Sequence, residues 1–131
     1  MSPKQVRCYL HNLDGLQREI SDTGADLAQY RAMAADTFRL DDATVKRDDF
    51  ISCLENKLFR LRTVRAAINA VIQYLPKRDR IIVKMRYGRG WTWPKVAGKL
   101  NYNETYLQNI DIKTVKKIVA NYNERIKKSP G

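Results

Sequence analysis

Apolar side chains recur along much of this chain at alternating spacings of three and four, the period at which one stripe of a helix faces a partner. In the first stretch they fall at Val6, Tyr9, Leu13, Leu16, Ile20, Leu27, Tyr30 and Ala34, with Thr23 at the weak position. A heptad seam of this kind predicts one long helix over residues 4–35. Gly15 and Gly24 each cost about 1 kcal/mol relative to Ala, so any bend is expected near Thr23-Gly24. The pattern lapses at about residues 36–47, where Asp41-Asp42 and Thr44 mark a polar connection. It resumes at Ile51, Leu54, Leu58, Leu61, Val64, Ile68, Val71, Ile72 and Leu75. The second helix is expected to start at Asp48 or Asp49, whose carboxylates suit the positive end of a helix dipole.

Beyond Leu75 the elements shorten. Pro76 suits the first turn of a new helix, which carries Ile81, Ile82, Met85 and Tyr87 among five cationic residues and ends at Gly88 and Gly90. Thr92 is placed to cap a short helix through Leu100, with Pro94 in its first turn and Val96, Ala97 and Leu100 facing inward. Asn103 is placed to cap a last helix to about Lys127. Nothing alternates with period two, so the expected fold is all-α.

Two long amphipathic helices joined by a polar stretch suggest an antiparallel helical hairpin over residues 1–75, followed by a second domain over 76–131. A seam this long on two helices is best buried against more helices, so self-association as a dimer or small oligomer is expected, through Leu13, Leu16, Ile20, Leu54, Leu58 and Leu61. The other arrangement is a monomeric bundle in which these helices fold back on the C-terminal part.

Charge changes the picture most. The chain has 131 residues and a net charge of +11. Residues 1–56 hold 7 Lys/Arg against 10 Asp/Glu, whereas residues 57–131 hold 18 against 4. Clustered Lys and Arg release condensed counterions from a phosphate backbone, so the second half points to nucleic acid. No stretch approaches the length of apolar sequence that spans a bilayer, and none has the pattern of a secretory leader, so a cytoplasmic location in a bacterial host cell, at the nucleoid, and no membrane partner are expected. Cys8, Cys53 and the single His11 give neither a disulfide framework nor a metal-ligand set, and no cofactor motif is present. The acidic pairs Asp41-Asp42 and Asp48-Asp49 diverge in direction and are read as helix-start residues, so no catalytic site is expected. Cys8 and Cys53 are expected to be semi-buried, and His11 to lie at the surface.

The order helix, glycine-marked turn, short helix, tight turn, longer helix is that of a helix-turn-helix unit. Leu75-Pro76-Lys77-Arg78-Asp79-Arg80 through Met85-Arg86-Tyr87 resembles the opening helix of region 4 of bacterial primary sigma factors. Thr92-Trp93-Pro94-Lys95-Val96-Ala97 resembles that family's second helix. Asn103 to Ile110 resembles the start of its recognition helix, and Lys113 to Ile118 its basic continuation. A charged helical first half before such a unit is similar to phage late-gene activators of the RinA and ArpU type. Gly90-Trp91-Thr92-Trp93 with Val96-Ala97 matches the tryptophan-containing second helix common there. The resemblance implies a regulator binding double-stranded promoter DNA near late or packaging genes, with host RNA polymerase as a further candidate partner. It places base contacts at Glu104, Thr105, Gln108 and Asn109. Glu104 and Thr105 stand where sigma factors usually have arginine and glutamate, which implies a different promoter element.

The residues support a similar reading without the family. On a helix at 100° per residue, Leu107, Ile110, Thr114, Ile118 and Tyr122 share one side. Thr105, Asn109, Ile112, Lys113 and Lys116 fall opposite, flanked by Gln108 and Tyr106. Asn and Gln pair bidentately with adenine, and Thr105 or Ile112 can touch a thymine methyl. Lys113, Lys116 and Lys117 lie farther along and suit phosphates, with Tyr106 beside them, while Arg89 and Lys95 border the turn where the DNA backbone is usually gripped. Trp93 is expected in the core, and Trp91 either there or stacked on a base. A small terminase subunit recognising packaging-site DNA, and a sigma-like module that binds RNA polymerase without touching DNA, are the alternative readings.

Overall fold

A computed structural model describes residues 1–33 and 41–128, the side chains of residues 41–47 excepted. Ala34 and the part of the expected polar connection before Asp41 lie outside the described residues. All elements among the described residues are helical, with no strand. They are α1 (Pro3–His11), α2 (Leu13–Ala32), α3 (Asp41–Gln73), α4 (Lys77–Val83), a π-helical turn (Lys84–Gly88), α5 (Trp93–Leu100) and α6 (Glu104–Lys127).

Three boundaries differ from the expectation. The first helix breaks at Asn12, whose backbone (φ −141°, ψ 60°) ends α1, whereas α2 runs through both Gly15 and Gly24. The glycine penalty is small beside the burial of Leu16, Ile20, Thr23 and Leu27 along α2. The second long helix begins at Asp41, so Asp48 and Asp49 lie inside it rather than at its start. Pro76 is the residue before α4 rather than part of its first turn. Ser2 caps α1 reciprocally with Gln5, in a capping box.

The chain forms two compact units, Asp14–Arg62 and a discontinuous one of Met1–Leu13 with Thr63–Gly131, so the division does not fall at Leu75. In the first unit, the end of α2 is tied to the early part of α3. Arg31 donates to Glu55 at 2.9 Å, and the Tyr30 and Phe50 rings lie 4.7 Å apart.

In the second unit α6 is the hub, packed by α1, α4 and α5. Leu107, Val115 and Ile118 of α6, Val6 and Leu10 of α1, Val96 of α5 and Ile82 of α4 are almost wholly buried. Each element is too short to bury its apolar stripe alone, and α6 is long enough to receive several. Sequence periodicity assigned α1 to the first-half seam, yet Val6 and Leu10 belong to this second core. The heptad spacing that continues from α1 into α2 makes the stripe readable but does not say what it faces.

Candidate nucleic-acid interface

The turn before α6 is built by two asparagines. Asn101 closes α5 in the left-handed region (φ 58°), which asparagine tolerates, and its N–H returns to the Ala97 carbonyl. The Asn103 side chain accepts from the Thr105 N–H at 2.7 Å, capping α6 as expected. Thr92 occupies the corresponding position of α5 but makes no side-chain cap bond. Pro94, in the first turn, supplies no N–H to be capped.

A small core holds α4, α5 and the start of α6 together. Ile82, Val96, Leu107 and Ile110 are buried in it, and Met85, Trp91, Trp93 and Leu100 pack partly against it. Both tryptophans therefore contribute to the core. Arg86 lies over the Trp93 ring at 4.9 Å and donates to the Trp91 carbonyl at 3.0 Å, which ties the following loop and the start of α5 back to the π-helical turn.

With that inner side fixed, the remaining side of α6 faces outward. Glu104, Thr105, Gln108 and Asn109 in its first turns are all exposed. Lys113, Lys116 and Lys117 are exposed farther along, and Ile112 between them is 42% exposed. Leu107, Ile110, Thr114 and Ile118 are buried. The buried Thr114 hydroxyl donates to the Ile110 carbonyl at 2.9 Å, so no polar group is stranded there. Tyr106 sits on the flank, its ring 5.3 Å from Tyr102 with the Arg78 guanidinium 5.4 Å above it. The neighbouring Asp79 carboxylate and then Tyr106 hold the Arg78 pKa above its ordinary value.

Arg89 and Lys95 are exposed and converge on one ring. The Arg89 guanidinium lies 5.5 Å from the centre of Trp91, and Lys95 Nζ lies 4.4 Å from it. The six side chains expected to bind a second copy stand differently. Leu16, Ile20, Leu58 and Leu61 are buried by the chain itself, Leu54 is half-buried, and Leu13 is 42% exposed. Four of the six are thus covered within the chain itself. Cys8 and Cys53 are exposed rather than semi-buried.

The sequence reading missed a polar cluster behind α6. Asp111 is buried on its inner side, with Oδ2 accepting from Arg7 Nε at 3.1 Å and Oδ1 accepting from the Tyr87 hydroxyl. The Tyr87 ring meets the His11 ring edge-on at 4.7 Å, so His11 is exposed but not solitary. Burial, and then the bond to Asp111, push the Tyr87 pKa well above the usual phenol value. The signal was present: Asp111 is an acid among the inward positions of α6, where only a partnered carboxylate is tolerable.

The discontinuous unit that contains α6 carries 17 Lys/Arg against 4 Asp/Glu, whereas Asp14–Arg62 carries 8 against 10. Among the described residues, no helix is long and apolar enough to cross a membrane, and no group of three or more His, Cys, Asp or Glu could hold a metal ion. Comparison with protein-family models, with curated proteins and with solved structures finds no match to this chain.

Proposed function

We propose that the chain is a sequence-specific DNA-binding transcription regulator. In this reading α5 and α6, joined through Asn101-Tyr102-Asn103, are the two helices of a sigma-like helix-turn-helix unit, and α6 enters the major groove. The observation that carries it is the outward side of α6. Its first turns offer Thr105, Gln108 and Asn109, groups that match base edges, and its next turns offer Lys113, Lys116 and Lys117, which suit phosphates. Glu104 adds an acceptor for a cytosine amino group. Arg89 and Lys95, gathered on Trp91, grip the backbone beside the turn.

The resemblance of residues 75–118 to sigma factor region 4, and of the whole arrangement to phage late-gene activators, directs the reading to promoter DNA of late or packaging genes. The strong positive balance of the α6 unit supports a polyanionic partner and draws it in at long range.

The experiment is a selection from random duplexes, followed by titration against the selected and a scrambled duplex at several salt concentrations. The selected duplex is expected to bind roughly a thousandfold or more tightly. Asn109→Ala should weaken the selected duplex by about 1–3 kcal/mol and leave the scrambled one nearly unchanged. Lys116→Ala should weaken both alike and flatten the salt dependence by about one unit of slope. Equal affinity of the wild type for both duplexes ends the reading.

A further inference from the structure

Asp111 stands behind the proposed DNA-reading face, two residues and about 200° round the helix from Asn109. The groups beside it on that inner side, Leu107, Ile110, Val115 and Ile118, are buried and apolar. Apolar contacts are non-directional, so such a face resists separation more strongly than it resists a small rotation of the helix about its axis. The bonds to Asp111 are directional. Arg7 holds Oδ2 from α1 at 3.1 Å, and Tyr87 holds Oδ1 from the π-helical turn. Both donors are themselves braced: α1 is fastened by the buried Val6 and Leu10, and Tyr87 abuts His11. Even a small turn of α6 about its axis displaces the carboxylate, which stands well off that axis, and lengthens or misaligns its bonds to both donors.

We propose that Arg7, Tyr87 and Asp111 are positioning residues that fix the rotation of α6 and so select which of its side chains reach the base edges. The proposal rests on the DNA-reading function above and adds to it a determinant of specificity that touches no DNA. Asp111 is buried while its partner Arg7 is 38% exposed. Ion pairs add little net stability at a surface or in a core, and the best-attested use of such a group in a core is to specify one register among several. The cluster therefore makes its contribution as uniqueness of the α6 setting. Sequence selectivity then depends on α1, whose Arg7 lies 104 residues before Asp111 and which carries none of the base-reading side chains.

The test replaces the whole cluster by apolar groups of similar size, Arg7→Met with Tyr87→Phe and Asp111→Leu, a combination that leaves the net charge unchanged. Thermal melting and helical content are measured beside affinity for the selected and scrambled duplexes. The expected result is a folded protein that melts no lower than the wild type and binds the scrambled duplex as before. Its ratio of selected to scrambled affinity falls about tenfold or more, the scale of a mismatched base pair. A folded variant that keeps the wild-type ratio overturns the proposal. Should the triple variant fail to fold, Arg7→Met and Arg7→Lys are compared instead. The ratio falls for Met and is largely retained for Lys, which keeps the charge, whereas wild-type ratios in both overturn the proposal. A wild type without any preference overturns the DNA-reading function and this proposal together, while a preference that survives in the folded variant overturns this proposal alone.

Discussion

Trp91 shows how one aromatic residue can serve a core and a surface at once. Its ring packs partly against the Ile82–Val96–Leu107 cluster, while Arg89 and Lys95 are drawn to it from the two sides of the turn. A cation over an indole is worth about 0.5–1 kcal/mol at an exposed site, enough to bias a flexible side chain toward one direction before any ligand arrives. Trp91→Leu keeps an apolar group and every charge. It should weaken selected and scrambled duplexes equally with an unchanged salt slope, unlike Lys95→Ala, which should flatten the slope. Tyr87 yields a pH prediction. Its phenol is harder to ionise in the folded chain, because of burial and then the bond to Asp111. Below about pH 10 the phenol is protonated in both folded and unfolded chains, so its contribution to stability is complete. Above that, the unfolded chain loses the proton while the folded chain retains it, and stability falls with rising pH. Urea unfolding from about pH 9 to about pH 11 should show this fall in the wild type and a shallower one in Tyr87→Phe.

At the scale of elements, the turns make contrasting predictions. Gly90 has φ +69° with open space where a Cβ would stand, so Gly90→Ala should cost about 1–2 kcal/mol through backbone conformation alone. Asn103→Ala should cost about 1 kcal/mol by removing the cap of α6, whereas Thr92→Ala should cost far less because Thr92 makes no such bond. Melting curves of the three variants check the order. These two capping positions also show what the sequence can and cannot say. Residue type marked both as helix starts, and both are; whether the side chain completes the bond depends on local geometry that residue type does not carry. The inward and outward sides of α6 were legible because a helix of this length has a fixed angular period. The break at Asn12 and the start of α3 at Asp41 were not, since polar residues are tolerated in exposed helical turns and leave the apolar pattern silent. Least legible was the destination of α1. Val6 and Leu10 fit a seam shared with α2 as well as they fit the groove on α6. Only Arg7 and Asp111, too far apart in sequence to be paired by spacing, distinguish the two.

At the scale of the molecule, charge and unit boundaries coincide. The α6 unit has a balance of +13 from 17 Lys/Arg and 4 Asp/Glu, and the Asp14–Arg62 unit has −2 from 8 and 10. Phosphate contacts set the salt slope, so Lys57→Ala with Arg60→Ala, both exposed on α3 within Asp14–Arg62, should leave the slope of DNA binding unaltered. The same measurement on Lys116→Ala supplies the comparison. The bond between Arg7 and Asp111 spans 104 residues, which has a consequence for the newborn chain. A ribosome adding about 5–20 residues each second needs roughly 5–20 s to travel from one to the other. Throughout that interval Val6 and Leu10 have no α6 to cover them, and the whole Asp14–Arg62 unit is made within it. Translation stalled before Asp111 emerges should leave α1 open to proteases, and stalled after α6 has cleared the ribosome should leave it protected. α1 thus waits for α6.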